Sequence, residues 1–239
     1  GRTNKSEDED ARLVSFLKKA QIDAEHGLAT FSFGLIGMNT YGTQEKNWGY
    51  RFIEKSVLDL YKFSHTADIG FGLSKSINDL YLNFQIVNGE GYKSRQEDEY
   101  HKFAFNTTYG QRNLNSEDGC NVGFAYTSES TDTTVNEMTS IFGGFAGMGL
   151  RISAEYDQLI KGPDETTVMS FSANYTFTAS INLFARYDQV IDDKAYIITG
   201  AVMDCGNGLS IAPNVRTTSY DDVNKVTETD YKLNFQFKF

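Results

Sequence analysis

The sequence predicts an all-β fold, a transmembrane antiparallel up-and-down β-barrel that occupies residues 1–239 as a single domain. Apolar and polar side chains alternate along almost the whole chain, as expected for strands with one apolar and one polar face. Most alternating segments hold about 9 to 13 residues, which suits a tilted membrane-spanning strand of ~9–11 residues better than a globular strand of ~5–6. Short connections alternate with longer ones, which predicts strand ends on two sides of a membrane.

Thirteen segments show this alternation, and their apolar faces define the predicted strands one after another. In the fourth, for example, Leu80, Leu82, Phe84 and Ile86 share one face. The segments are, in order, 12–24, 28–36, 66–76, 79–88, 100–111, 120–128, 136–146, 149–158, 166–177, 181–189, 194–204, 208–219 and 227–239.

The last segment has the clearest pattern. Its apolar face carries Tyr231, Leu233, Phe235, Phe237 and Phe239, and its polar face carries Lys232, Asn234, Gln236 and Lys238. A soluble protein must cover such an aromatic face with a second layer, whereas an outer-membrane barrel turns it to lipid and the polar face to a water-filled lumen.

The connections between the predicted strands fall into two sets. Turns such as 146–149 and 178–181 are short, whereas 88–100, 128–136, 158–166, 189–194 and 219–227 are longer and mostly charged, and 37–66 is very long. The short turns are predicted at the periplasmic end and the long loops at the external end.

Composition excludes several other classes of protein. The net charge of -10 argues against a nucleic-acid partner, since phosphate binding needs a basic surface. No apolar run approaches the ~20 residues of a membrane helix. The two cysteines, Cys120 and Cys205, have neither metal-ligand spacing nor a disulfide framework, so we expect no metal site and no cofactor.

An enzymatic function is not expected. The histidines are His26, His65 and His101, and none lies in a Gly-x-Ser-x-Gly or metal-binding motif. His65 and Asp68 are close in sequence, but a loop-to-strand arrangement is a poor basis for a catalytic pair.

Three stretches carry a resemblance to a known family. The motifs WGYRF from Trp48, ADIGFG from Ala67 and VNGEGY from Val87 resemble bacterial outer-membrane porins related to the phosphate-selective family. The resemblance implies the cell outer membrane, contact with its lipid and lipopolysaccharide, and, by analogy, a homotrimer. The lysine cluster on which phosphate selectivity depends in that family has no match in this chain, so the solute is not carried over.

The resemblance also concerns the terminal strand and the strand count. In outer-membrane proteins generally, an aromatic terminal strand such as Tyr231 to Phe239 is recognised by the barrel-assembly machinery. Single-chain bacterial barrels usually have an even number of strands. We therefore expect a full barrel of sixteen strands, with about thirteen in this chain and further strands before Gly1. In such a barrel the loop 37–66 follows the fifth strand, where general porins fold a constriction loop into the lumen.

Within loop 37–66, apolar residues recur near helical spacing between Ile53 and Phe63. One hypothesis is that a short helix packs on the inner wall, with Arg51, Glu54, Lys55 and Asp59 setting an electrostatic constriction. The alternative is an external loop packed over the barrel mouth.

Charged residues on the polar faces of later strands are predicted to line the lumen. Two interpretations remain open, a transverse field acting on solutes or paired charges that brace the wall. The residues are Arg151, Glu155, Arg186, Asp188, Arg216 and Lys232. Acidic residues of the external loops are either solvated or attract divalent cations that bridge to lipopolysaccharide.

The function expected from these features is a porin, a passive diffusion channel for small hydrophilic solutes or ions. An alternative is a non-transporting barrel that serves as a structural or docking subunit of a cell-envelope complex. A soluble β-sandwich binding module is a third hypothesis, which predicts a protein that stays in solution without detergent.

Overall fold

The computed structural model describes residues 17–27, 29–94 and 99–239, together with the backbone of Arg2–Thr3 and Leu13–Val14. Those two segments form a short antiparallel pair, strands β1 and β2. All other strands belong to one 13-stranded antiparallel sheet, in which each strand pairs with its neighbours in sequence. This is the up-and-down arrangement that the alternating pattern predicts.

The strands of this sheet are numbered in chain order. They are β3 (Ala20–His26), β4 (Ala29–Gly37), β5 (Ala67–Ile77), β6 (Leu80–Val87), β7 (Lys102–Gly110), β8 (Gly119–Ser130), β9 (Val135–Gly147), β10 (Leu150–Lys161), β11 (Asp164–Thr178), β12 (Ile181–Val190), β13 (Lys194–Asp204), β14 (Leu209–Tyr220) and β15 (Glu228–Phe237). Two short helices, α1 (Gly42–Trp48) and α2 (Val57–Leu60), lie between β4 and β5.

The two faces of the sheet differ sharply in exposure. On β11, Phe171 is 54% exposed while its neighbour Ser170 is 2% exposed. The same alternation leaves Ile69, Phe103 and Leu183 exposed on the outer face of other strands. An apolar outer face of this extent, without a covering layer among the described residues, is the pattern of a lipid-facing barrel wall.

The inner face is covered by the segment between β4 and β5, hereafter the inner loop (residues 38–66). Two apolar clusters form there, and each joins loop residues to strand residues. The first contains Met38, Leu58 and Phe63 with strand residues such as Val87 and Val168. The second joins Trp48 and Ile53 to Phe184, Ile198 and Ala212.

The sheet curves around this loop. Asn47 and the Asn121 side chain of β8 exchange two hydrogen bonds of 2.9 Å, and Asn234 of β15 donates to the carbonyl of Phe52 at 3.0 Å. In a flat sheet, β8 and β15 would be seven spacings of ~4.8 Å apart, about 34 Å. The chain from 47 to 52 spans at most ~18 Å even when fully extended. The strands must therefore wrap around the loop as a barrel wall.

Several predicted boundaries are wrong. The sequence predicts the first strand at 12–24, but β3 is Ala20–His26, and part of the predicted range lies outside the described residues. The connection 158–166 was expected to be long, yet pairing continues to Lys161 and Asp164 and leaves a two-residue turn. Gly162 has φ of 58°, a conformation that suits such a tight hairpin turn. The helical segment expected at Ile53 to Phe63 is helical only in α2, and α1 was not predicted.

Candidate pore and constriction

Helix α1 is fixed at its C-terminal end by the barrel wall. Gly49 ends the helix with φ of 78°, and its amide donates to the carbonyl of Glu45. The positive φ favours glycine, and a Cβ there would lie 2.2 Å from Nη2 of Arg151 and would displace the guanidinium from its present position. Arg151 Nη2 donates to the Trp48 carbonyl at 3.1 Å, which places a cation at the negative end of the helix.

Three wall arginines donate to backbone carbonyls of the inner loop. Arg151 of β10 binds Trp48, Arg186 of β12 binds the carbonyl of Lys55 at 2.6 Å, and Arg216 of β14 binds that of Ile53 at 2.6 Å. These arginines lie on the inner face of alternate strands, beneath the loop. Their guanidinium groups therefore attach the loop to the wall. This contact agrees with a structural role for these charges, and none of the three guanidinium groups is left wholly to act on passing solutes.

Glu54 points away from the lumen and toward the wall. Its carboxylate lies 2.5 Å from Nη1 of Arg216 and accepts from the Tyr196 hydroxyl at 3.0 Å. Its backbone carbonyl accepts from the indole of Trp48 at 3.0 Å. Glu54 thus anchors the loop, whereas the side chains of Arg51 and Lys55 are 35% and 43% exposed.

Arg186 and Asp188 form a fully buried pair on β12. The Arg186 Nη2 lies 2.6 Å from Oδ2 of Asp188, and the second carboxylate oxygen accepts from Ser170 at 2.6 Å. Tyr61 of the loop donates to the same carboxylate at 3.2 Å. Because a buried ion pair costs desolvation of both charges, these extra hydrogen bonds are needed to stabilise it.

The remaining predicted wall residues are Glu155 and Lys232. Glu155 lies on β10 in register with Ser170 of β11, which is itself in register with Asp188 of β12, so Glu155 belongs to the same cross-strand row as the buried pair. Lys232 lies on β15, where its ammonium is 3.7 Å from Asp230 and about half exposed. The side chains of Arg151, Arg186, Asp188 and Arg216 contact the inner loop, whereas Lys232 lies on the edge strand of the described sheet.

Charged residues of the loop form a chain of ion pairs at the edge of open space. Arg51 pairs with Glu45 at 3.0 Å and with Asp59 at 2.6 Å, and Asp59 also pairs with Lys55 at 3.2 Å. Arg51, Lys55 and Asp59 line a cavity of about 350 Å³, called here the basic cavity. Its other charged lining residues are Lys18, Lys62, Glu90 and Lys93. Five cations face two carboxylates there, so the basic cavity has a positive potential in a chain of net negative charge.

A buried carboxylate closes the base of the loop. Asp68, at the start of β5, accepts from the backbone amides of Gly89 at 2.7 Å and Gly91 at 3.2 Å. Next to it, the amide of Met38 donates to the carbonyl of Thr66 at 3.2 Å and joins the two ends of the inner loop. This role of Asp68 was not predicted, although the ADIGFG and NGEGY stretches contain both the carboxylate and the glycines.

Burial changes the pKa values of two tyrosines and one histidine of the inner loop. The Tyr41 hydroxyl donates to the carbonyl of His65, and burial followed by the charge of Asp59 raises the pKa of Tyr41. Burial, followed by the charge of Lys102, lowers the pKa of His65. The Tyr61 pKa is raised by burial and by the adjacent Asp188. These phenols stay neutral and act as hydrogen-bond donors.

Within the described part of the chain, no helix has the length and apolar character needed to cross a membrane. In the same residues, no group of three or more His, Cys, Asp or Glu side chains is placed to hold a metal ion. Cys120 and Cys205 are free and exposed.

Comparison with solved structures identifies the architecture. The chain is similar to the outer-membrane OmpT of Vibrio cholerae, with a TM-score of 0.62 and 10% identity, covering 85% of this chain and 70% of that one. It is similar to Salmonella typhi OmpF, with a TM-score of 0.61 and 13% identity over 88% and 74% of the two chains. A Rhodopseudomonas blastica porin mutant gives 0.62 and 14% identity over 91% and 76%. The fold is that of bacterial outer-membrane β-barrels.

No protein-family model matches the sequence, and no characterised protein matches it in sequence. At identities this low, the structural similarity establishes the fold alone.

Proposed function

We propose that the protein is a porin of the cell outer membrane, a passive diffusion channel for small hydrophilic solutes or ions. The observation that carries this proposal is the division of one curved sheet into an exposed apolar outer face and a polar inner face partly filled by a folded loop. Lipid on one side and water on the other account for both faces.

The inner loop is proposed to narrow the pore. Arg51, Lys55 and Asp59 face the basic cavity and form the electrostatic part of the constriction. Glu54 and the wall residues Arg151, Arg186, Asp188 and Arg216 hold the loop in place. Glu155 and Lys232 stay in the proposal as lumen-side wall residues without an assigned contact to solute.

The partners of this function are also proposals. They are outer-membrane lipid and lipopolysaccharide at the apolar face, and the barrel-assembly machinery at Tyr231, Leu233, Phe235, Phe237 and Phe239. One similar structure is described as a trimer form, which supports a homotrimer here. A closer relation to phosphate-selective porins rests on the three sequence stretches alone and is part of the proposal.

Planar-bilayer recording tests the channel. Purified protein in detergent is expected to insert and give stable, ohmic conductance steps, because a fixed polar path needs no energy source. A barrel that migrates as a folded species and never conducts would exclude the channel and leave the structural or docking role. No feature of the described residues favours that second role.

A further inference from the structure

A second cavity lies between the start of the inner loop and the inner faces of β3 to β7. Its volume is about 340 Å³, within the ~300–1,000 Å³ of small-molecule sites. Ten of its sixteen lining residues carry a hydroxyl or a carboxamide, in contrast to the charged basic cavity. We call it the amide cavity.

One wall of the amide cavity presents a carboxylate. Asp23 of β3 accepts from Gln21 Nε2 at 2.5 Å and from the Ser32 hydroxyl at 2.6 Å. Both neighbours are exposed or half-buried and keep further hydrogen-bonding capacity. This wall offers mainly acceptors, with hydroxyl and amide donors beside them.

The other wall presents donors. The guanidinium of Arg112 lies 3.3 Å from the centre of the Tyr81 ring, and the Tyr81 hydroxyl accepts from Asn83 Nδ2 at 2.8 Å. Arg112 is thereby held in one position with its N–H groups fixed.

Three side-chain atoms of the lining residues are buried without a hydrogen-bond partner in the protein. They are Oδ1 of Asn39, Nδ2 of Asn106 and Nε of Arg112, an acceptor and two donors. Asn106 itself is only 2% exposed. These three atoms are covered by neighbouring protein groups, so the hydrogen bonds open to a solute come from the exposed or half-buried hydroxyl, carboxamide, carboxylate and guanidinium groups of the lining, which supply both donors and acceptors.

We propose that the amide cavity binds a neutral polyhydroxylated solute, a mono- or oligosaccharide, as it passes the constriction. Each hydroxyl of such a solute donates and accepts, so it matches Asp23 on one wall and Arg112 on the other. Asp23 repels an anionic solute, and Arg112 and Lys19 repel a cationic one, so a neutral solute is favoured. This inference rests on the proposed channel function and names one solute class for it.

Sugar titration of the open channel tests the inference. Conductance is recorded with rising maltotriose or raffinose, corrected for bulk conductivity, and compared with a polyethylene glycol of equal hydrodynamic size that lacks most hydroxyl donors. Saturable reduction by the sugar and a non-saturating effect of the polymer are expected. Asp23→Asn and Arg112→Gln are each expected to weaken the apparent sugar affinity about five-fold, as for one lost hydrogen bond.

Asp118→Asn is the matched control, because Asp118 is an exposed carboxylate at the same end of the sheet that lines a different cavity. Its sugar affinity is expected to equal that of the wild type. A conducting wild-type channel without saturable sugar block overturns this inference and leaves the porin intact. Equal affinities of Asp23→Asn and the wild type also overturn it, and a folded protein without any conductance overturns the porin itself.

Discussion

Arg216 on strand β14 holds Glu54 of the inner loop with a nitrogen to oxygen distance of 2.5 Å, and both side chains are nearly buried, at 10% and 12% exposure. The same guanidinium also binds the carbonyl of Ile53. One wall residue thus fixes two consecutive loop residues, and the loop depends on it for its position against β14.

Replacing Arg216 with alanine is expected to destabilise the protein by roughly 3 kcal/mol, because it leaves Glu54 as an unpaired and largely buried charge. Urea unfolding in detergent measures this change, and single-channel recording is expected to show added current noise from a less restrained loop. Arg216→Ala combined with Glu54→Gln should recover part of the stability. A double variant as unstable as the sum of the single variants would show that the two side chains are not coupled.

Gly91→Ala is expected to destabilise the base of the inner loop. Gly91 has φ of 80°, and a Cβ there would lie 2.5 Å from Cγ of His65. Backbone strain of this kind costs about 1–3 kcal/mol, and the displaced ring adds to it. Gly37→Ala is the control, since Gly37 has nothing within 4 Å of an added Cβ. Equal unfolding midpoints for the two variants would contradict the assigned packing.

His65 makes the loop base sensitive to acid. Its pKa in the folded protein is lowered below the ordinary value of 6.5 by burial and by Lys102, with Lys161 acting in the same direction and Asp68 and Glu129 opposing. The unfolded chain therefore binds a proton first, and the contribution of neutral His65 is present above about pH 6.5 and is lost as pH falls through the folded pKa.

The measurement is the free energy of unfolding of the wild type and His65→Gln from about pH 8 to about pH 4, a range that includes the unperturbed His pKa of about 6.5. The wild type is expected to lose more stability than the variant below about pH 6.5, and the difference isolates His65 from the carboxylates that titrate nearby. Parallel curves for the two proteins would exclude this assignment.

The charge of the basic cavity predicts ion preference. Lys62→Glu with Lys93→Glu reverses two of its five cations, so the reversal potential in a salt gradient should shift toward cation preference. Lys75→Glu alone and Lys75→Glu with Lys225→Glu are controls of one and two charges that line neither the basic cavity nor the amide cavity. If the controls shift the potential as much as the cavity variants, selectivity follows net charge instead of the local field.

Much of the wall could be predicted from sequence because the strand period is local. The alternation in exposure between Phe171 and Ser170 on β11 depends only on the direction in which successive side chains point. Lipid favours apolar side chains on the outer face of every strand, so the same alternation recurs along the chain. The expectation of about thirteen strands in an all-β up-and-down sheet is confirmed for this reason. Boundaries such as Lys161 and Asp164 failed because cross-strand pairing extended both strands beyond their apolar pattern.

The contacts of the candidate constriction residues were harder to predict from the sequence. The resemblance to porins implies that Arg51, Glu54 and Asp59 lie on a constriction loop, but the orientation of Glu54 toward the wall depends on Arg216, 162 residues later in the chain. Helix α1 has no apolar periodicity, since Trp48 is the one large apolar residue among its seven, and its buried contacts, such as Asn47 with Asn121, form only within the curved sheet.

The sequence by itself determined which face of each strand is apolar, because that follows from a repeat of two residues, and together with the strand lengths it predicted a barrel wall. Only the tertiary structure decided where the inner loop lies and which charges face solvent. Those outcomes depend on hydrogen bonds between groups far apart in sequence, such as Arg186 with Lys55 and Asp68 with Gly89, and no local pattern encodes them.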